Sequence, residues 1–197
     1  MQKSQLGKTG LEVSRIGLGT VEIGIADYAV GQKGLVSEQE AITLLKEAVE
    51  LGVTYIDTAH AYGMAEERIG KSGILKKSGV IVGTKCAQFL EKGEDPRGDE
   101  LAKKIEDEIN ESLQQLQTDS LQLVQLHGGD EEQIKRGELI EIMQALKNSG
   151  KVQHVGIAVR GNEAARAAIE SNFFETIQVA YSILDQRMAP DILESAQ

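Results

Sequence analysis

The sequence predicts an α/β fold built on a parallel sheet, and three observations carry that reading. Short β-branched runs alternate with longer segments of helical periodicity from residue 37 onward, the pattern of repeated βα units. The expected strands, such as Val80-Ile81-Val82-Gly83-Thr84-Lys85, are mostly unbroken apolar runs, as in strands covered on both faces. Three successive strands end at or just before titratable side chains, Asp57, Lys85 and His127, and the carboxyl end of the sheet is where such folds place their chemistry.

Taken in order, Leu6-Gly7-Lys8-Thr9-Gly10-Leu11 reads as a turn between two short strands, an N-terminal β-hairpin. Ile16-Gly17-Leu18-Gly19-Thr20 reads as a short strand whose glycines let another group approach the backbone. Residues 21–36 have no clean period and read as a loop. Ser37 is placed to cap a helix, with Glu40 completing a capping box. That helix shows an apolar face of Ala41, Leu44, Leu45, Ala48 and Val49, and Gly52 ends it. A strand over 53–57 follows, then a helix over 65–77, a strand over 80–85 and an exposed loop over 91–98.

A helix over about 99–116 is marked by Leu101, Ile105, Ile109 and Leu113. A strand over 121–126 delivers His127, and a helix spans roughly 131–148. Strand 151–159, helix 163–171, strand 176–180 and the start of a helix over 190–196 complete the pattern. No linker or low-complexity segment interrupts it, so residues 1–197 are expected to form one domain.

Composition narrows the functional classes. The chain of 197 residues is 41% hydrophobic and 26% charged, ordinary for a globular protein. No run of ~18 apolar residues is present to span a membrane, and residues 1–16 lack the apolar stretch of a secretory signal. The single cysteine, Cys86, suits a reducing compartment, so a cytoplasmic location is expected. A net charge of −10 with acidic clusters at Glu106-Asp107-Glu108 and Asp130-Glu131-Glu132 disfavours nucleic acid and anionic membrane surfaces as partners. The sequence leaves the oligomeric state open.

Asp57, Tyr62, Lys85 and His127 each have a plain structural reading. Asp57 can cap a helix, Tyr62 can be a half-buried aromatic, Lys85 can be solvated and His127 can be a satisfied loop residue. As a set, all four fall at the carboxyl ends of consecutive strands. There an ammonium lowers the pKa of a nearby phenol, an aspartate balances the ammonium, and an imidazole donates to an oxygen gaining charge. That set is equipped to protonate a carbonyl. A metal site at His60 is disfavoured, because its spacing matches no common ligand pattern and Lys85 opposes a cation. His154 reads as structural and Cys86 as a small buried hydrophobe.

The chain resembles the aldo-keto reductases. The residues that carry the resemblance are Gly17-Leu18-Gly19-Thr20, Asp57-Thr58-Ala59 with Tyr62-Gly63, Gly83-Thr84-Lys85, and Asp119-Ser120-Leu121 leading to Leu126-His127. They continue with Gly150-Lys151-Val152, Val155-Gly156-Ile157, Gln178 and Tyr181, so the likeness covers nearly the whole chain. It implies a (β/α)8 TIM-barrel fold and reduction of an aldehyde or ketone by hydride from NADPH, with NADH as the alternative. Tyr62 would be the general acid, Lys85 held by Asp57 would tune it, and His127 would orient the carbonyl. Gly19, Thr20, Asp57, Gln178 and Tyr181 would contact the cofactor, with Gln178 at the carboxamide and Thr20 and Asp57 near the ribose. The substrate is expected to be a small carbonyl compound, or an alcohol in the reverse direction.

Two departures from the family pattern stand out. Many members carry Ser-Asn after the fifth strand, where this chain has Gly156-Ile157-Ala158-Val159-Arg160, which weakens the expected grip on the carboxamide. A complete barrel takes ~250 residues, and only about six βα units are present, so a chain truncated at its C-terminus is expected. The alternatives are a binding or regulatory protein on the same scaffold, as in channel-associated β subunits, or an inactive fragment.

Overall fold

The computed structural model describes residues 1–189 and 191–196. The helix start expected at Pro190 lies outside the described residues. A hairpin of β1 (Lys3–Gln5) and β2 (Glu12–Ser14) precedes a six-stranded parallel sheet. The sheet runs in chain order: β3 (Leu18–Gly19), β4 (Tyr55–Asp57), β5 (Ile81–Cys86), β6 (Leu121–His127), β7 (Val152–Val159) and β8 (Thr176–Val179). Each strand pairs with its predecessor, so the order never reverses as it does in a doubly wound sheet. Right-handed crossovers then lay the helices on one face, as in a β/α barrel.

The helices are α1 (Glu38–Glu50), α2 (Ala65–Ser72), α3 (Gln88–Glu91), α4 (Gly98–Leu116), α5 (Glu131–Lys135), α6 (Glu138–Asn148), α7 (Asn162–Glu170) and α8 (Asp191–Ser195). The Ser37–Glu40 capping box opens α1 as expected, with the Ser37 N–H donating to the Glu40 carboxylate at 3.0 Å. Two expected helices are split. Gly73 (φ 73°) ends α2, and a 3₁₀ turn over Ile74–Lys76 fills the rest of the 65–77 segment. Gly137 (φ 86°) separates α5 from α6. Both glycines adopt the left-handed conformation that stops a helix. The short α3 and a 3₁₀ turn at Val21–Ile23 lie in or beside segments read as loop.

Parallel register fixes what each face carries, because paired residues share a face and neighbours along a strand alternate. Asp57 pairs with Gly83, Lys85 with Gln125, His127 with Ala158, and Ala158 with Gln178, so these line the inner face. Ile56, Val82, Val124, Leu126, Val155 and Ile157 point outward and pack with Leu45, Ile69, Ile105, Ile109 and Met143 of the helices. Strand β5 is buried on both faces as expected, whereas the edge strands β3 and β8 leave Gly19 and Gln178 exposed, and the buried positions are not uniformly apolar. Lys85 and Gln125 lie within the sheet at 2% exposure each. Inner-face glycines make room for larger neighbours, since a Cβ on Gly83 would meet the Tyr55 hydroxyl at 2.5 Å.

The hairpin crosses the amino-terminal end of the sheet. Ser14 and Thr54 exchange two hydrogen bonds, N–H to Oγ1 at 2.8 Å and N–H to Oγ at 2.9 Å. At the far side Lys8 N–H donates to the Glu175 carbonyl at 2.8 Å, and Lys8 Nζ donates to Asn172 Oδ1 at 2.9 Å. Among the described residues, no helix is long and apolar enough to cross a membrane.

Candidate active site

The structure brings Asp57, Tyr62, Lys85 and His127 together at the carboxyl end of the sheet. Asp57 ends β4, Lys85 lies near the end of β5, and His127 ends β6. Tyr62 sits in the loop that leads from β4 to α2. Tyr62, Lys85 and His127 border a cavity of about 640 Å³, with Ala158, Arg160 and Gln178 among its other walls.

Lys85 Nζ donates to both Asp57 carboxylate oxygens at 2.8 Å and to the Thr58 carbonyl at 3.0 Å. An ammonium has three donors, so all are engaged away from Tyr62. Nζ lies 5.2 Å from the centre of the Tyr62 ring. Burial lowers the Lys85 pKa, while the Asp57 charge and hydrogen bond hold it up.

The expected lowering of the Tyr62 pKa is overturned. Burial raises it to about 12, and the negative charge of Asp57, with Tyr28 and Glu91, adds to the rise, while Arg160 opposes it. The physical reason is that Asp57 balances the ammonium at short range, leaving desolvation of the phenolate to dominate. Tyr62 therefore keeps its proton at neutral pH.

His127 meets the Tyr62 ring edge-on, with centroids 5.8 Å apart and planes at 81°. Its pKa falls to about 4, through burial first and then the positive charges of Lys85, Arg160 and Lys92. The ring is neutral at pH 7. Its Nδ1 is buried without a hydrogen-bond partner, and Nε2 lies 3.9 Å from Glu91. A proton at Nδ1 would be a buried, unbonded donor, so we assign the N–H to Nε2.

The residues expected around a cofactor fare differently. Thr20 is fully buried, and its N–H and hydroxyl both donate to the Asp57 carbonyl at 3.0 and 2.9 Å, so it holds β3 against β4. Gly19 fronts open space, since a Cβ there would meet nothing within 4 Å. Gln178 accepts from Gln125 Nε2 at 2.8 Å and lines the cavity. Tyr181 is 54% exposed and is not among the cavity's lining residues. Ala158 and Val159 do line it and supply no side-chain hydrogen bond.

Two rim residues were not anticipated. Arg160 Nε pairs with Glu91 at 2.7 Å, which brings a carboxylate beside His127. Glu91 belongs to α3, which follows Ala87 in the left-handed conformation at φ 64°, and no local sequence rule marks an alanine for that role. Two other expectations hold. His154 bonds to Glu175 at 2.8 Å near the start of β8. Cys86 is buried with its thiol pKa pushed up. No metal-binding cluster of three ligands occurs among the described residues.

The Aldo/keto reductase family profile matches residues 15–197. The aldo-keto reductase YhdN of Bacillus subtilis is 32% identical over all of this chain, which spans 59% of that protein. The NADH-specific methylglyoxal reductase of Escherichia coli is 30% identical over 98% of the chain and 63% of its own length. A putative aldo-keto reductase from Pseudomonas aeruginosa superposes with a TM-score of 0.81 at 29% identity, covering 98% of this chain and 73% of that one. The chain thus spans about three-fifths of the length of these curated relatives. On this likeness in sequence and in fold, the chain belongs to the aldo/keto reductase family.

Proposed function

We propose that this chain carries the proton-transfer half of a nicotinamide-dependent carbonyl reductase. The observation that carries the reading is the cavity where the protonated Tyr62 phenol and the neutral His127 imidazole meet edge-on beside a buried Lys85 paired with the half-buried Asp57. Tyr62 donates its proton to the carbonyl oxygen in reduction and takes it back in oxidation. His127 Nε2–H donates a hydrogen bond to the same oxygen and fixes its direction. Lys85, held by Asp57, places an ammonium 5.2 Å from the centre of the Tyr62 ring, where it offsets part of the cost of charging the phenol as the proton leaves.

A bound nicotinamide supplies the hydride. The residues present fit such a group: Gln178 offers its amide NH₂ at the cavity wall, and the space before Gly19 is open to close approach. Thr20 is engaged with the Asp57 carbonyl and the Asp57 carboxylate with Lys85, and Tyr181 lies outside the residues that line the cavity. We take NADPH as the preferred donor, with NADH as the alternative that the methylglyoxal reductase relative motivates.

A small aldehyde such as methylglyoxal, reduced with NADPH and NADH in parallel, tests the reading. Tyr62→Phe is expected to lose ~10²–10⁴ in turnover, the usual contribution of a general acid, with an unchanged melting temperature. Retention of most turnover in that variant would remove Tyr62 from the role.

A further inference from the structure

Sheet pairing ends at Asp57 on β4 and at Cys86 on β5. Beyond those points the Tyr62 loop and the end of the Lys85 strand are joined by the His60 N–H, which donates to the Lys85 carbonyl at 2.9 Å. Helix α4 then grips both segments. His60 stands between Asp57 and Tyr62, and its Nε2 is 2.8 Å from Glu111 while its Nδ1 is 3.9 Å from Glu108. Glu108 accepts the Ala87 N–H at 2.6 Å.

Ala87 lies two residues past Lys85 in a left-handed conformation at φ 64°. A non-glycine residue holds that conformation only where its surroundings enforce it, and a short bond to a carboxylate is strong enough to do so. The residue before Lys85 is fixed from the same side. Thr84 Oγ1 donates to the buried Glu66 at 2.5 Å, and Glu66 also accepts from Ser112 of α4 at 2.9 Å. Glu108 and Ser112 are four residues apart on one stripe of α4.

We propose that His60 and Glu108 are positioning residues, through which α4 holds the Tyr62 loop and the Lys85 strand end in one fixed relation. This rests on the proposed roles of Tyr62 and Lys85. The tie gives His60, at the centre of the loop, a structural role through Glu111 and Glu108 of α4. It also explains why a strained alanine follows Lys85.

The test compares Glu108→Ala, Glu108→Gln, His60→Ala and Glu108→Ala with Ala87→Gly added. His127 is one of only three histidines, so its imidazole can be titrated by NMR whether or not turnover is measured. In Glu108→Ala the His127 midpoint is expected to rise from about 4 toward 6.5 by about one unit, because Lys85 is among the charges that depress it. Turnover is expected to fall roughly 10–100-fold with KM nearly unchanged, as for a displaced catalytic group. Glu108→Gln keeps an oxygen for the Ala87 N–H and should restore both readouts. Ala87→Gly relieves the strained turn and should recover part of the loss.

His60→Ala cuts the other end of the tie and remains informative if Glu108→Ala fails to fold. Folded Glu108→Ala and His60→Ala proteins with an unmoved His127 midpoint and unchanged turnover would overturn the proposal. The Tyr62→Phe control separates the two readings. An active Tyr62→Phe with a shifted His127 midpoint in Glu108→Ala would refute the role of Tyr62 and leave the tie standing.

Discussion

The two faces of the six-stranded sheet are chemically opposite, although each holds fully buried side chains. Outward, Val124 and Leu126 of β6 and Val155 and Ile157 of β7 interlock with aliphatic side chains of the helices. Inward, the same strands present Gln125 and His127, and their polar atoms find partners across strands: Gln125 to Gln178 at 2.8 Å and Lys85 to Asp57 at 2.8 Å. Burial alone therefore does not separate scaffold from site. What separates them is whether a buried group is held by contact area, which is undirected, or by a specific polar partner, which fixes an atom in place.

Lys85→Met tests this division most severely. It leaves Asp57, whose side chain is only 19% exposed, without its cation. Removing one partner of a buried pair costs ~3–5 kcal/mol, so a large drop in urea-unfolding free energy should accompany loss of turnover. A cost typical of the surface would show that the inner pair is not specifically held.

Leu126→Ala, on the outer face beside His127, should cost ~2–5 kcal/mol for the cavity it leaves. The His127 titration near pH 4 should stay where it is. If that midpoint moves, the two faces are coupled through the strand and the division is too sharp. Ser37→Ala lies on neither face and should cost about 1 kcal/mol through the lost cap, read as a small fall in melting temperature with full activity.

A separate effect is a slope in the pH dependence of stability. The folded pKa of His127, about 4, lies below its ordinary value of 6.5, so the folded state binds the proton less readily than the unfolded state. Its contribution is complete above pH 6.5 and is lost as pH falls toward 4. His127→Gln should flatten the acid limb of a stability profile in that interval.

The legible parts of the sequence were those set by local chemistry. Ser37 with Glu40 and the charged strand ends at Asp57, Lys85 and His127 could be read from order and spacing. The alternation of the two faces could not, because Gly83 and Gly156 sit on the inner face and read as neutral in an apolar run. Gln122 adds to the confusion: it faces outward, where its Oε1 accepts the Val82 N–H at 3.0 Å. The breaks at Gly73 and Gly137 were masked by helical periodicity that continues on either side. The proton affinity of Tyr62 depends first on how far folding buries its hydroxyl and then on the Asp57 charge beside it, neither of which has a counterpart in spacing. Glu108 and Ala87 are 21 residues apart, and nothing in either stretch announces the other.

The hairpin across the base of the sheet bears on the order of folding. Every strand from β4 to β8 pairs with the one made just before it, so the sheet can grow by short loop closures as the chain emerges. The Lys8–Asn172 contact instead joins residues 164 apart in sequence. Closing such a loop costs entropy that rises only with the logarithm of its length, but it must wait until β8 exists. The latch is thus expected to form after the rate-limiting step, so weakening it should quicken unfolding and leave the folding rate nearly untouched.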